Sequence, residues 1–181
     1  MRQAALAAAA LVSLGTIQPP SAAAESAGET AGDVLRVAIP AAAFALTLRR
    51  EDSVGRRQFY RSFAANVGAT YLLKAAVDKD RPDGSDDDAF PSGHASMAFQ
   101  GAAFIHRRYG IRQAWPAYAL ATLTGATRVD ADEHDAADVL AGAGVGIASA
   151  FLLADRWQSS AVTFTPMLGD DTWGVTISGT F

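Results

Sequence analysis

Two histidines in this chain have neighbours suited to binding an oxyanion and moving a proton. His94 follows Pro91, Ser92 and Gly93 at the predicted start of a helix, where free backbone amides form an anion site. Gly93 lets the backbone approach a ligand closely, and the Ser92 hydroxyl adds a hydrogen-bond donor. His94 could protonate the leaving oxygen of an anion held at this helix start, which makes it a candidate general acid.

The second histidine, His134, lies four residues before Asp138, so the two side chains would share one face of a helix. A carboxylate next to an imidazole fixes its tautomer and stabilises the charged ring. The pair therefore predicts that His134 is a nucleophile that attacks phosphorus, with Asp138 as the residue that orients it. The alternative is structural, because Asp138 could instead form a salt bridge with Arg128.

Three cations lie at predicted helix ends near these histidines: Lys74, Arg81 and Arg128. Arginine binds phosphate oxygens through two parallel N–H groups, whereas lysine acts as a point charge. Together with the helix start, they could hold a tetrahedral oxyanion and neutralise the charge that grows on it in a transition state. Each also has a structural interpretation: Lys74 as a solvated helix-end cation, and Arg81 as a partner of Asp78 or Asp83.

In order and spacing, these groups resemble the three-part signature of the type 2 phosphatidic acid phosphatase and vanadium haloperoxidase superfamily. The matching segments are Lys74-x6-Arg81-Pro82, Pro91-Ser92-Gly93-His94 and Arg128-x5-His134-x3-Asp138. The resemblance covers about Leu35 to Ala154, and one departure is Thr127, where the family usually has serine. Threonine keeps the hydroxyl group, so the departure is mild.

The resemblance implies a phosphatase that hydrolyses phosphomonoesters or diphosphates, with lipids among its candidate substrates, and that needs no metal ion or other cofactor. It implies that His94 is the general acid, that His134 forms a phosphohistidine, and that Asp138 orients His134. The implied phosphate-binding residues are Lys74, Arg81, Ser92, Gly93 and Arg128. Two other functions stay open: a vanadate-dependent haloperoxidase, for which the chain is short, and a non-catalytic envelope protein that only binds an anion.

Composition limits the other possibilities. A chain of 181 residues, half of them hydrophobic, favours a single domain with a buried core. The absence of cysteine excludes disulfides, thiolate metal sites and cysteine nucleophiles. A net charge of −4 argues against nucleic acid as a partner and leaves a phosphorylated small molecule or lipid. The acidic run at residues 86–88 is interpreted as a solvated loop rather than a cation site, and the oligomeric state is not indicated.

The first residues predict a secretion signal. Arg2 precedes an apolar run, and small residues before Glu25 offer a cleavage site, so residues 1–24 are interpreted as a signal peptide. An uncleaved N-terminal helix is the alternative. Export places the mature protein in a periplasm, with association to the membrane left open. Residues 25–32 are small and polar and read as a flexible lead-in.

The remaining pattern predicts a mainly α fold, a helical bundle of about five helices with a C-terminal β-hairpin. The helical domain is placed at residues 33–158, with Pro40 as a possible kink in its first helix. Its helices are predicted at about 33–48, 58–77, 92–109, 113–128 and 134–155, and the hairpin tail at 159–181. Short or charged apolar runs favour a soluble bundle, with a monotopic or integral membrane form as the alternative. Gly142 and Gly146 predict close helix packing.

Overall fold

The computed structural model describes residues 27–157, 162–168 and 173–179. The predicted signal peptide and the predicted hairpin turn around residues 169–171 lie outside these ranges. The described helices are α1 Ala27–Arg49, α2 Ser53–Ala76, α3 Gly93–Tyr109, α4 Ile111–Asp130 and α5 Ala136–Leu153. Strands β1 Val162–Leu168 and β2 Trp173–Gly179 pair antiparallel. The prediction of a mainly α bundle with five helices and a C-terminal hairpin is confirmed.

Two helices begin earlier than the sequence pattern indicated. Helix α1 already includes residues 27–32, which were expected as a lead-in, because Gly32 is buried where α1 meets α4. A Cβ atom at Gly32 would lie only 2.4 Å from Oγ1 of Thr127, so a larger residue would force that side chain or the helix to move. Helix α2 begins at Ser53 because Asp52 caps it, accepting a hydrogen bond from the Gly55 amide at 2.8 Å. The expected connection at residues 49–57 is thereby reduced to three residues, 50–52.

Helix α3 is the centre of the bundle and contacts each of the other four helices. Small residues let its neighbours approach closely. A Cβ atom at Gly142 would lie 2.3 Å from the Ser92 carbonyl oxygen, and one at Gly146 would lie 2.4 Å from that of Ser96. The predicted close packing at this glycine pair is therefore present, between α5 and α3. Gly101 of α3 makes a similar contact with the backbone of Pro40, and α1 continues through that proline without a break.

The helices alternate in direction, so the bundle has two chemically different ends. One end holds the starts of α1, α3 and α5 and the ends of α2 and α4. We call it the catalytic end because the candidate site residues of the sequence lie there. There the Ser92 amide donates to the Asp138 carbonyl at 3.0 Å, joining the starts of α3 and α5. At the other end, called the basic end, Arg108 near the end of α3 binds Asp52 before α2, with Nη2 2.6 Å from Oδ1.

The outward faces of three helices are apolar. Helices α1 and α5 are each long and apolar enough to cross a membrane by length and composition, and 28% of each apolar window is buried inside the bundle. From residue 34 to residue 48, every exposed residue of α1 is Val, Ala or Leu. The exposed residues of α5 are Ala, Gly, Leu and Phe, and α4 exposes Trp115, Leu120 and Leu123. These faces are compatible with membrane association, which the sequence left open beside the soluble bundle that it favoured.

Candidate active site

The two histidines singled out in the sequence line the same cavity at the catalytic end. This cavity has a volume of about 390 Å³ and lies between α2, the start of α3 and the loops that follow α2 and α4. Of the eight expected site residues, five line it: Lys74, Arg81, Gly93, His94 and His134. Sequence positions as far apart as 74 and 134 are therefore brought to one cavity by the helix ends.

The other three expected residues, Ser92, Arg128 and Asp138, lie behind the cavity wall and are at most 2% exposed. The Ser92 hydroxyl is the N-cap of α3 and accepts from the Ala95 amide at 3.5 Å, so it organises the helix start. The Nε of Arg128 is buried without a hydrogen-bond partner. A buried guanidinium donor without a partner is costly, so this Nε is a donor that a ligand or a water molecule could still satisfy.

His134 is 3% exposed, and its Nδ1 has no hydrogen-bond partner. Oδ2 of Asp138 lies 3.9 Å from this nitrogen, beyond hydrogen-bond distance. The Asp138 carboxylate instead accepts from Lys79 Nζ at 2.6 Å and from the Asp135 amide at 3.0 Å. Asp138 therefore acts on His134 by its charge, while Lys79 and the capping box of α5 fix the position of the carboxylate.

Burial is the main influence on the protonation of His134. Together with the charges of Lys74 and Arg81, it lowers the pKa of His134 to about 4, although the Asp138 charge opposes the shift. The ring is therefore neutral at pH 7, which is the form that can attack phosphorus. Its neutral state suits a nucleophile.

His94, at the first turn of α3, contacts a residue that no sequence motif indicated. Its Nε2 lies 2.6 Å from Oδ1 of Asp33, which comes from the second turn of α1. Burial lowers the pKa of His94 to about 4; the hydrogen bond to Asp33 opposes this shift, and the charges of Arg36 and Arg128 add to it. Asp33 therefore fixes the orientation of the ring and favours its charged form.

Two carboxylates pair with the three cations that were expected to bind phosphate. Lys74 Nζ donates to the backbone carbonyl of Asp88 and lies 3.4 Å from Oδ2 of the same residue. Arg81 Nη2 donates to Oδ1 of Asp88 at 2.9 Å. Glu133 accepts from Arg128 Nη1 at 2.9 Å and lies 3.5 Å from Arg81. Asp88, which lines the cavity, and Glu133 therefore neutralise these cations within the protein.

One wall of the cavity is apolar and continues away from the histidines. Phe63, Val67 and Tyr71 recur at every fourth position of α2 and end one turn before Lys74. Met97 of α3 lines the same space. The cavity therefore combines a cationic end with an apolar wall along α2. Within the described residues, no group of three or more His, Asp or Glu side chains is arranged to hold a metal ion.

Comparison with known proteins assigns this bundle to a family. The PAP2 superfamily matches residues 76–160, a range that holds every expected site residue except Lys74. A lipid A 4′-phosphatase of Helicobacter pylori is 31% identical over 154 residues, which cover 79% of this chain and 77% of that protein. The chain therefore belongs to the type 2 phosphatidic acid phosphatase superfamily.

Two further relatives match over shorter ranges. A lipid A 1-phosphatase of Porphyromonas gingivalis is 44% identical over 70 residues, 37% of this chain and 16% of that protein. A lipid A 1-phosphatase of Helicobacter pylori is 32% identical over 123 residues, 63% of this chain and 60% of that protein. The chain thus spans less than two thirds of the length of these two relatives. No solved structure matches the chain significantly.

Proposed function

We propose that this protein is a lipid phosphatase that needs no metal ion and works through a phosphohistidine. The observation that supports this most directly is that His94 and His134 line one cavity together with Lys74 and Arg81. Two imidazoles on one phosphate site can divide the work of nucleophile and general acid. Membership of a phosphatase superfamily gives independent support.

The proposed reaction has two steps. In the first, a ring nitrogen of His134 forms a bond to phosphorus as the bond between phosphorus and the leaving oxygen breaks, and His94 gives a proton to that oxygen. In the second, His94 takes a proton from water, whose oxygen attacks phosphorus and releases His134 and inorganic phosphate. Lys74 and Arg81 neutralise the phosphoryl oxygens in both steps, and the amide of Gly93 donates to one of them. Arg128 acts on the phosphate through its charge, from behind the cavity wall.

Substrate binding is expected to prepare His94 for its role. With a pKa of about 4 the ring would be neutral at pH 7, yet a general acid must carry the proton it gives. A phosphate dianion beside the ring raises the pKa of a histidine, because the opposite charge favours the protonated form. Displacement of Asp88 by the phosphate would keep Lys74 and Arg81 paired throughout.

A lipid is the substrate class that best fits the cavity and the bundle. The apolar wall formed by Phe63, Val67 and Met97 can accept a hydrocarbon portion beside the phosphate. The relatives named as lipid A phosphatases act on a phosphorylated lipid, and we extend that substrate class, but not lipid A itself, to this chain.

The bundle is proposed to lie in a membrane with its catalytic end on the periplasmic side. The apolar outward faces of α1 and α5 would contact the acyl chains. Positive charge accumulates on the cytoplasmic side of membrane proteins. The basic end has eight arginines against three carboxylates: Arg49, Arg50, Arg56, Arg57, Arg107, Arg108, Arg112 and Arg156 against Glu51, Asp52 and Asp155.

The test measures phosphate release from phosphatidate, an isoprenyl diphosphate and p-nitrophenyl phosphate in the presence of EDTA. The wild-type protein is expected to turn over at least one lipid substrate, and His134→Ala should reduce its rate by about 10³-fold or more. His106→Ala is the matched control, since His106 lies in the last turn of α3, away from the cavity. Loss of turnover in EDTA, or equal loss in both variants, would contradict the proposal.

A further inference from the structure

A second polar cavity lies at the basic end of the bundle, opposite the catalytic cavity. It has a volume of about 540 Å³ and is formed where α3 turns into α4 and where the chain leaves α5. Its lining includes four arginines and two aromatic residues: Arg50, Arg108, Arg112, Arg156, Tyr109 and Trp157. No histidine or carboxylate is among its described lining residues, so the cavity has positive charge but no group that resembles the catalytic pair.

The guanidinium of Arg50 is held in place by contacts on three sides. It lies 4.9 Å from the ring centroid of Tyr109 and 5.0 Å from that of Trp157, and its Nη2 donates to Gln113 Oε1 at 2.9 Å. Stacking on two rings orients the planar group before any ligand arrives. The remaining N–H groups of Arg50 are therefore pre-organised for an acceptor.

The charges of this cavity are only partly neutralised within the protein. Arg108 is buried and donates to both carboxylate oxygens of Asp52, at 2.7 and 2.6 Å, so it serves as a structural anchor. The carboxylate of Asp155 lies 3.8 Å from the guanidinium of Arg107, which is outside the cavity. Among the described ion pairs none involves Arg50, Arg112 or Arg156. Three guanidinium groups thus face one cavity without a carboxylate partner.

We propose that this cavity binds the headgroup phosphate of an anionic phospholipid, without hydrolysing it. The proposal rests on the membrane placement described above, which puts the basic end at the cytoplasmic surface, where anionic headgroups accumulate. Arginine matches phosphate oxygens in bidentate geometry. Ile111 and Trp115, which are 51% and 64% exposed beside Arg112, offer apolar surface for an acyl chain. This neighbouring surface favours a lipid over free phosphate.

The experiment uses His134→Ala protein in detergent, so that hydrolysis in the catalytic cavity cannot contribute. Lipid binding is measured by native mass spectrometry and by the midpoint of thermal unfolding, with phosphatidylglycerol, phosphatidylcholine or inorganic phosphate added. Phosphatidylglycerol is expected to bind and raise the midpoint, and the other two are not. Combining Arg50→Gln with Arg112→Gln should weaken binding about tenfold for each arginine removed.

The matched control combines Arg49→Gln with Arg57→Gln, two exposed arginines of the basic end outside the cavity, and it should bind phosphatidylglycerol like the parent. Equal loss in the control, or equal binding of phosphatidylcholine, overturns the proposal. A response to inorganic phosphate alone would show a free-anion site and also overturn it. If the double variant does not fold, Arg156→Gln, at an exposed position, replaces it. Phosphatase assays on the otherwise wild-type chain test the catalytic proposal separately.

Discussion

Asp33 is the residue whose importance is visible only in the folded chain. It lies 61 positions before His94 in the sequence, yet its carboxylate is 2.6 Å from the imidazole. A carboxylate in this position holds the ring at a fixed angle and stabilises the imidazolium that forms when His94 takes a proton from water. Asp33 is therefore a positioning residue for the proposed general acid.

Replacement of Asp33 should affect turnover more than binding. We expect Asp33→Asn to lower kcat about 10- to 100-fold with little change in KM, since general acid–base catalysis contributes about 10²- to 10⁴-fold and is only partly lost. The loss should be larger for an alkyl phosphate than for p-nitrophenyl phosphate, whose leaving group needs no proton. Asp130→Asn, an exposed carboxylate of the same end, is the control. Equal losses on both substrates would contradict this role.

The lowered pKa values of His94 and His134 predict a specific dependence of stability on pH. In the unfolded chain both rings take up protons near pH 6.5, but in the folded chain only near pH 4. Between these values the unfolded state binds more protons, so the free energy of unfolding should fall as the pH drops from about 6.5 to about 4.

The measurement is denaturant unfolding at a series of pH values in detergent, compared with His94→Gln and His134→Gln. Each variant should have a shallower slope than the wild-type protein in this pH range, because one of the two titrating rings is absent. The same slope in all three proteins would show that the histidines are not the source of the effect.

At the scale of the helices, the contact between α3 and α5 sets the position of the catalytic end. It joins the segment that carries His94 to the helix that carries Asp138, and it depends on glycine at positions 142 and 146. Because helices this close leave no room for a side chain, the distance between the two halves of the site is fixed by these residues.

Gly146→Ala should therefore destabilise the bundle. The new Cβ atom would lie 2.4 Å from the Ser96 carbonyl oxygen and 2.7 Å from the Gln100 amide nitrogen, so α5 must move away from α3 at a cost of about 1–3 kcal/mol. Gly144→Ala on the same helix meets no atom within 4 Å and should be neutral or stabilise by up to about 1 kcal/mol. Thermal unfolding midpoints compare the two, and equal shifts would contradict this account.

The helices and the spacing of the site residues were predictable from the sequence because both are patterns of residue types along the chain. Hydrophobic periodicity and caps located five helices, and the spaced histidines and cations indicated one anion site. The contacts of Asp33, Lys79 and Glu133 were not predictable, because each depends on how separate helix ends meet. The sequence favoured a soluble bundle and left a membrane form open, because the length of an apolar run does not tell which residues of α1 face outward.

At the scale of the whole molecule, charge is separated between the two ends of the bundle. The basic end carries the eight arginines named above, whereas the catalytic end has the acidic loop at residues 82–88 and the carboxylates around His134. Between the ends, the exposed surfaces of α1 and α5 carry no charge from residue 37 to 48 and from 136 to 153. This distribution is what gives the proposed membrane orientation its direction.

The orientation can be tested by labelling single introduced cysteines, because the chain itself has no cysteine that would react. Ser85→Cys places a thiol in the exposed acidic loop, and Ser53→Cys places one at the exposed start of α2, at the basic end. In spheroplasts, a membrane-impermeant maleimide should label Ser85→Cys, and Ser53→Cys only after the membrane is disrupted. Both should be labelled in detergent. Labelling of both variants in intact spheroplasts would indicate that the protein does not span the membrane. Labelling of Ser53→Cys alone would indicate the opposite orientation.

The apolar stripe along α2 that leads to Lys74 has a consequence for how the reaction ends. The two products of the proposed reaction would separate into different phases: the dephosphorylated lipid stays in the bilayer, while inorganic phosphate diffuses into water. Dephosphorylated lipid that accumulates in the leaflet would dilute the substrate there and slow the reaction, even at a fixed bulk concentration. The rate in a cell would therefore depend on the mole fraction of substrate within the leaflet.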